Sequence, residues 1–236
     1  MKKSRIATLI VFFVLIPLTL IVGSRLSGRA FYVTSTLVIV ELLIPFFLAF
    51  EGRRPQAREL VVLAVMCALA VAGRVAIPIP SFKAIFGIIM IAGIAFGPES
   101  GFLVGAISAL ASNFFYSQGP YTPWQMMAYG AGGMLAGFVF AEGRLPRKPV
   151  AMGIFGFLAV AFFVGPLLDT CSVFLVMSRI TLKGAMAFYI SGFPVNLRQA
   201  VATAIVLLVL GKPLLEKLDR IKTKYGILDD EGRKEA

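Results

Sequence analysis

The sequence lacks histidine entirely and contains only two cysteines and one tryptophan in 236 residues. Because histidine is the commonest metal ligand and the usual general base near neutral pH, its absence excludes metalloproteases that bind zinc through an HExxH helix. Cys67 and Cys171 lie in separate apolar stretches without CxxC spacing, so we expect neither a disulfide framework nor a zinc site. The GxxxxGKS/T phosphate-binding loop is also absent, so we expect no ATP hydrolysis by this chain. These absences predict a protein without a metal, a cofactor or catalytic residues.

Charged residues make up only 15% of the chain, and basic residues outnumber acidic ones by 23 to 12. Hydrophobic residues make up 58%, whereas soluble domains usually contain about 45–50%. A net charge of +11 can indicate nucleic-acid binding, but here the basic residues stand in short segments between apolar stretches. That placement is typical of membrane proteins, whose cytoplasmic segments are rich in Lys and Arg. We therefore predict an integral membrane protein that contacts lipid and binds no nucleic acid.

Eight apolar stretches approach the roughly 20 residues that a helix needs to cross a bilayer. They cover residues 6–23, 31–50, 59–77, 83–97, 100–116, 123–141, 150–176 and 189–211. The first begins like a signal peptide, but so many further stretches follow that we interpret it as a transmembrane helix. The pattern predicts an all-α polytopic membrane protein with eight spans.

The first two predicted helices differ from the rest, because their interiors contain almost no glycine and a charged stretch follows them. We therefore predict an N-terminal transmembrane hairpin over residues 1–55, a six-helix substrate-binding core over 56–212 and a charged cytoplasmic tail over 213–236. We expect this tail to begin as a short amphipathic helix and then to be disordered. If the N-terminus is cytoplasmic, sixteen Lys and Arg residues lie inside and seven lie outside. The sequence thus predicts a multi-pass protein of the cell membrane with both termini in the cytoplasm.

Polar side chains cluster near the predicted outer ends of the core helices. Arg74 and Lys83 flank the first outer loop of the core. Because polar groups inside a membrane are energetically unfavourable, their shared depth predicts a pocket that opens outward and is closed by apolar residues on the cytoplasmic side. A channel would instead need a polar lining along its whole length. The other members of the cluster are Asn113, Gln125, Asp169, Asn196 and Arg198, of which Asp169 and Arg198 could form an ion pair or both face the pocket.

An aromatic group surrounds the outer loop Ser117–Pro123, whose sequence SQGPYTP is rich in turn-forming residues. This group could form the aromatic belt that membrane proteins place at the bilayer interface. Alternatively, it could provide a stacking surface for a flat organic ligand. The candidates for ligand binding in and around this group are Phe82, Tyr116, Gln118, Tyr121, Trp124 and Tyr129.

Three stripes of small residues follow helical spacing. Small residues let helices approach closely in lipid, so such stripes mark contact faces. The first stripe is formed by Ala64, Ala68 and Ala72, the second by Gly101, Gly105 and Ala109, and the third by Gly133 and Gly137. For the glycine stripes we favour packing inside the bundle, whereas the alanine stripe could pack internally or contact a partner.

Residues Arg74–Gly137 resemble the substrate-specific S-components of energy-coupling factor (ECF) transporters; this stretch reads RVAIPIPSFKAIFGIIMIAGIAFGPESGFLVGAISALASNFFYSQGPYTPWQMMAYGAGGMLAG. The resemblance extends over about residues 58–212, and the GPYTPWQM segment is most similar to cobalamin-type members. This similarity implies cobalamin as the ligand, with riboflavin, queuosine precursors, pantothenate and other vitamins as alternatives. It implies a six-helix subunit whose loops at 78–82, 117–122 and 177–188 cap an outward pocket for a vitamin.

The resemblance also implies partners for the chain. In such transporters the alanine stripe docks on a membrane coupling subunit, and two ATPase subunits complete the complex. The S-component is then expected to tip over in the membrane to deliver its ligand. The N-terminal hairpin departs from the typical family member, which begins at the third span of this chain.

Three other functions are compatible with an apolar helical chain. An ion-coupled secondary transporter would need titratable groups on its path, and only Glu41 and Asp169 lie deep in the predicted spans, without an evident inverted repeat. A membrane enzyme acting on lipid is disfavoured by the lack of histidine and of carboxylate clusters. An assembly factor would bind no vitamin tightly. Glu41 has no polar neighbour in the run VIVELLIPFF, so it could pair with a hydroxyl, stay protonated or contact another subunit.

Overall fold

The computed structural model describes residues 57–141 and 143–226, together with residues 10–15 and the isolated positions 18, 19, 22, 33, 37, 40 and 41. Within these residues the ordered elements are all helical and no strand occurs, which confirms the all-α prediction. Six helices follow one another from residue 57 onward. They are α1 (Ala57–Val75), α2 (Ile85–Phe96), α3 (Pro98–Tyr116), α4 (Thr122–Ala136), α5 (Pro149–Val176) and α6 (Leu182–Tyr225).

π-Helical turns extend or interrupt two of these helices. α4 continues directly into the turn Gly137–Ala141, and α5 contains the turn Val160–Val164 between two α-helical halves. A further short π-helical segment, Val11–Leu15, lies in the N-terminal part of the chain.

Only two helices in the described ranges are long and apolar enough to cross a membrane by themselves, Pro149–Val176 and Leu182–Tyr225. The predicted count of eight spans is therefore not supported. α2 is apolar but has only 12 residues, which extend about 18 Å, whereas the hydrocarbon core of a bilayer is about 30 Å thick. The first two predicted spans, 6–23 and 31–50, lie largely outside the described residues.

Proline and glycine set several of the helix boundaries. A proline occupies the first turn of α3, α4 and α5, where its missing N–H is not needed for a helical hydrogen bond. A single residue, Gly97, separates α2 from α3 and adopts a φ of 97°. This left-handed conformation is open mainly to glycine, so the chain reverses there within one residue.

The helices alternate in direction and bring their connections together at two ends of the bundle. At the first end, which we call the Arg74 end, α1 ends, α2 begins, α3 ends and α4 begins. The segment Met177–Thr181 between α5 and α6 lies at this end too. At the opposite end, which we call the Gly97 end, lie Gly97, the loop between α4 and α5, and the last turns of α6.

α2 forms the centre of the core, because all 12 of its residues are buried. Its C-terminal half crosses α3 and α4 at glycines. A methyl group on Gly93 would lie 2.1 Å from the carbonyl oxygen of Gly133, and one on Gly133 would lie 2.3 Å from that of Gly101. A methyl group on Gly137 would lie 2.6 Å from the backbone of Pro98. The glycine stripes therefore pack inside the bundle, as predicted.

α6 continues without interruption past Lys212, where the sequence suggested a separate tail. Leu215 and Leu218 are buried and belong to the main hydrophobic core. The Lys222 ammonium donates a hydrogen bond to the Ala95 carbonyl, with 2.7 Å between the two atoms. The segment after Lys212 is thus packed on the end of α2, because its apolar residues share one helical face.

Described positions in the N-terminal part make two informative contacts. Val11 is buried in a small cluster with Trp124, Met127 and Cys171, which places this segment beside α4 and α5. The Thr19 hydroxyl donates to Glu41 Oε1 at 2.5 Å. Of the three possibilities considered for Glu41, the structure thus shows a hydroxyl partner.

Candidate functional site

Arg74 lies in the last turn of α1, where a cation interacts favourably with the negative end of the helix dipole. Its side chain reaches across to α3. Nη1 of Arg74 donates to Ser112 Oγ at 2.5 Å and to Asn113 Oδ1 at 2.9 Å. The guanidinium is partly buried, and such polar partners compensate for its lost hydration because leaving water is unfavourable for a charge.

Asn113 extends this network from α3 to α4. Its side chain is completely buried, and its Nδ2 donates to Thr122 Oγ1 at 3.0 Å and to Gln125 Oε1 at 2.8 Å. The Thr122 hydroxyl accepts a second bond from the Gly119 amide and donates to Gln118 Oε1 at 2.9 Å. One amide side chain thus connects two helices and the loop between them.

Two tyrosine rings lie close to the Arg74 guanidinium. Its central carbon is 4.9 Å from the centroid of the Tyr116 ring and 5.6 Å from that of Tyr129, distances at which cation–π attraction operates. Tyr129 is buried and packs edge-on against Phe86 with 4.5 Å between ring centroids. The Tyr116 hydroxyl donates to the Arg74 carbonyl at 3.0 Å. Nothing in the described ranges pairs a carboxylate with this cation.

Lys83 adds a second cation to the same place, and its backbone carbonyl connects the site to a fourth helix, α6. Its ammonium donates to the carbonyl of Ile77 and lies 5.9 Å from the centroid of the Tyr116 ring. The Lys83 carbonyl accepts a hydrogen bond from Gln199 Nε2 of α6 at 2.7 Å. We call this set the Arg74 network; its members are Arg74, Lys83, Ser112, Asn113, Tyr116, Gln118, Thr122, Gln125 and Tyr129.

Asp169 and Asn196 form a separate polar contact between α5 and α6. Nδ2 of Asn196 donates to Asp169 Oδ2 at 2.6 Å. Glycines make room for it, because a methyl group on Gly192 would lie 2.2 Å from Asp169 Oδ1 and one on Gly165 would lie 2.4 Å from Asn196 Cγ. Nearby, the hydroxyls of Thr170 and Tyr189 are 2.8 Å apart.

The predicted ion pair between Asp169 and Arg198 does not form. Arg198 is exposed, and its Nε donates to the Pro194 carbonyl at 3.3 Å. Residues two apart on a helix point in nearly opposite directions, since each residue advances the helix by about 100°. With Asn196 facing α5, Arg198 must therefore face away from it.

Trp124 does not offer the free stacking surface that the sequence suggested. Its side chain is only 2% exposed, and its ring stacks on Phe174 of α5 with 5.7 Å between centroids and 20° between planes. Phe114 and Phe115, in contrast, are 77% and 67% exposed, as an interfacial belt requires. The predicted aromatic group therefore divides into core rings, outward-facing rings and the two rings beside Arg74.

Two predicted loop residues have mainly local contacts. The Tyr121 hydroxyl donates to the Ser117 carbonyl at 2.7 Å. Phe82 is half-buried and lies in the turn before α2, where its amide bonds to the Ile79 carbonyl. Of the 12 predicted ligand contacts, six lie in the Arg74 network: Lys83, Asn113, Tyr116, Gln118, Gln125 and Tyr129.

Sequence reasoning missed two members of the Arg74 network, Ser112 and Thr122, and the neighbouring Phe86, which packs against Tyr129. Ser112 is completely buried and lies four residues after the equally buried Ser108, so their spacing marked a polar stripe on the inner face of α3. Thr122 stands just before Pro123, a position typical of residues that cap a helix start. Phe86 gave no signal, because an aromatic residue in an apolar run is ordinary.

The sequence also matches a known family. A family model described as ECF-type riboflavin transporter, S component, matches residues 55–216, which is more than half of the chain. The protein therefore belongs to the S-components of ECF-type transporters. No curated protein and no solved structure matches the chain.

Membership of this family establishes the class of activity. The chain is a membrane protein and a substrate-binding subunit of an ECF vitamin transporter, and it is not an enzyme. S-components work with an energy-coupling subunit and ATPase subunits, so energy for transport comes from other chains. The cobalamin specificity suggested by the GPYTPWQM segment is not confirmed, because the matching description names riboflavin.

Proposed function

We propose that the chain captures a flavin-like vitamin at the Arg74 end and that this end faces the outside of the cell. The family description names riboflavin, which supports a flat heterocyclic ligand. The observation that carries the proposal is the Arg74 guanidinium, which lies within about 6 Å of two tyrosine ring centroids at the junction of three helices.

Several hydrogen-bonding groups left open in the Arg74 network are donors, judged by the contacts of the described residues. Both bonds of the Arg74 guanidinium use Nη1, whereas its Nε and Nη2 reach no acceptor among the described residues. Asn113 uses both its oxygen and its nitrogen internally, and the only bond of Gln125 uses its oxygen. A site rich in donors favours a ligand edge that presents acceptors, such as the carbonyl groups of a flavin ring.

The positive charge of Arg74 also favours a ligand edge that presents hydrogen-bond acceptors. A guanidinium without a carboxylate partner is poorly solvated in a low-dielectric environment. Electron-rich carbonyl oxygens would supply charge-assisted hydrogen bonds, which are stronger than neutral ones. Binding would therefore improve the environment of Arg74 as well as that of the ligand.

A ligand panel on the purified chain tests this proposal. Free riboflavin is fluorescent, and burial of its ring against tyrosines is expected to quench the emission in a saturable titration. Unlabelled cobalamin added in competition should leave the quenching unchanged. Displacement of riboflavin by cobalamin, or co-purification of a different vitamin in its place, would overturn the assignment of a flavin.

We also propose that α1 docks on the coupling subunit through its alanine stripe. Ala64, Ala68 and Ala72 are all exposed, and the opposite face of α1 holds the buried residues Leu63 and Met66. Helices associate in lipid by close packing of such smooth faces. The described N-terminal contact, at Val11, lies beside α4 and α5, so it leaves this face of α1 open.

The distribution of basic residues supports an inward position for the Gly97 end. Loop 143–148 and the last 14 residues of α6 carry eight Lys and Arg residues. Cytoplasmic segments of membrane proteins are enriched in Lys and Arg. We therefore propose a multi-pass protein of the cell membrane with the Arg74 end outside and both termini in the cytoplasm.

A further inference from the structure

The last turns of α6 lie across the Gly97 end of the bundle. Gln199 contacts Lys83, and Lys222 contacts Ala95. These two contacts hold α6 against both ends of α2, and Pro213 within this part of α6 removes one backbone hydrogen bond of the helix.

This terminal segment has an apolar face and a basic face. Leu215 and Leu218 are buried, whereas Lys217, Arg220 and Lys224 are exposed. The three cations are spaced at i, i+3 and i+7, so they follow one another along a single side of the helix. The apolar face packs on the protein, and the basic stripe is therefore presented outward.

The acidic residues of this segment are already paired. Asp219 lies 3.5 Å from the guanidinium of Arg147, which also ties the loop between α4 and α5 to α6. Glu216 lies 3.9 Å from the ammonium of Lys212. Within the described part of the chain, no carboxylate pairs with Lys217 or Arg220. Among the residues that the structure describes, the outward stripe is consequently a surface of positive charge without a paired carboxylate.

We infer that this basic stripe binds the anionic headgroups of membrane phospholipids. An amphipathic helix that directly follows an apolar membrane helix lies at the level of the headgroups. Basic clusters in this position attract anionic lipids through charge complementarity, an attraction that salt weakens. Tipping of the subunit would require release of these headgroups, so the lipid composition of the membrane would set the transport rate. This inference is independent of which vitamin binds.

Native mass spectrometry of the full-length detergent-solubilised chain can test this inference. The probes are phosphatidylglycerol, which is anionic, and phosphatidylcholine, which carries no net charge. We expect phosphatidylglycerol to bind in preference, and the double variant Lys217→Ala/Arg220→Ala to weaken its binding by on the order of tenfold or more. The matched control, Arg179→Ala/Lys183→Ala, removes the same two residue types from exposed positions at the Arg74 end and should leave binding unchanged.

Two further measurements separate lost charge from lost folding. The charge-preserving double variant Lys217→Arg/Arg220→Lys should retain the phosphatidylglycerol preference, and high salt should abolish that preference in the wild-type chain. The inference is overturned if the wild type shows no preference, or if the control loses binding as much as the test variant. It is equally overturned if the test variant keeps its lipid but no longer associates with ATPase subunits, because an acidic protein surface would then be the partner.

Discussion

Single residues decide how the candidate site is built. Asn113 is completely buried and bonds to α1 and α4 at once, so one amide sets the spacing of three helices. Arg74 uses only part of its hydrogen-bonding capacity on this network. Residues that hold the site together can thus be distinguished from those that remain available to a ligand.

At Arg74, replacement of the cation by methionine is expected to weaken riboflavin binding. Loss of hydrogen bonds to a charged group usually removes about 1.5–3 kcal/mol, so affinity should fall by roughly 10–100-fold. Arg74→Met and Arg220→Met can be compared by fluorescence titration, because Arg220 is an exposed arginine at the opposite end of the bundle. Equal affinities of the two variants would remove Arg74 from the ligand site.

For Trp124, the structure predicts a loss of stability without a loss of ligand contact. Trp124→Ala removes a buried ring that stacks on Phe174, and such truncations usually destabilise by about 3–5 kcal/mol. Thermal unfolding should show a large drop in midpoint, while the folded fraction should bind its ligand with unchanged affinity. A selective loss of affinity would instead support a direct contact between Trp124 and the ligand.

The close crossing of α3 and α4 at glycines can be tested by comparing alanine variants of two neighbouring glycines. In Gly133→Ala the new methyl group would meet backbone atoms of Gly101, which cannot move without separating the helices. We expect destabilisation of about 1–3 kcal/mol or more. Gly132→Ala would meet only a methyl group of the Val164 side chain at 2.9 Å and should be milder. Similar unfolding midpoints for both variants would contradict the proposed crossing.

Helical elements were predicted well where their ends carry strong local signals. The predicted spans 123–141 and 150–176 nearly coincide with α4 plus its π-turn and with α5, because proline marks each start. α6 was predicted less accurately. The predicted span 189–211 omits the helical turns at both ends of the observed helix, which covers Leu182–Tyr225. The charges after Lys212 predicted a short amphipathic helix, and in the structure they occupy one face of the continuing α6, whose other face is buried.

The exposed face of α1 predicts a separation of binding from transport. Ala68→Trp places a large ring on the proposed docking face without touching the Arg74 network, so riboflavin affinity should stay unchanged while vitamin uptake by cells is lost. Val209→Trp is the matched control, because Val209 is 63% exposed on α6. Loss of both binding and uptake in the Ala68 variant would show that the stripe packs inside the protein.

At the scale of the whole molecule, the proposed orientation can be measured directly. Both natural cysteines are buried, so a membrane-impermeant thiol reagent should label the wild type weakly. Cysteine introduced by Ser117→Cys, at the Arg74 end, should react in intact cells. Cysteine introduced by Lys148→Cys, at the Gly97 end, should react only after the membrane has been permeabilised. The reverse pattern would place the ligand site in the cytoplasm.

Composition and periodicity alone predicted a helical membrane protein, because hydrophobicity and residue types act locally. The sequence also placed the polar residues near one set of helix ends. Their grouping needed the tertiary structure, because it depends on the rotation of each helix about its axis. That rotation directs Asn196 rather than Arg198 towards Asp169, buries Trp124 against Phe174, and joins Arg74 to Asn113 across two helices.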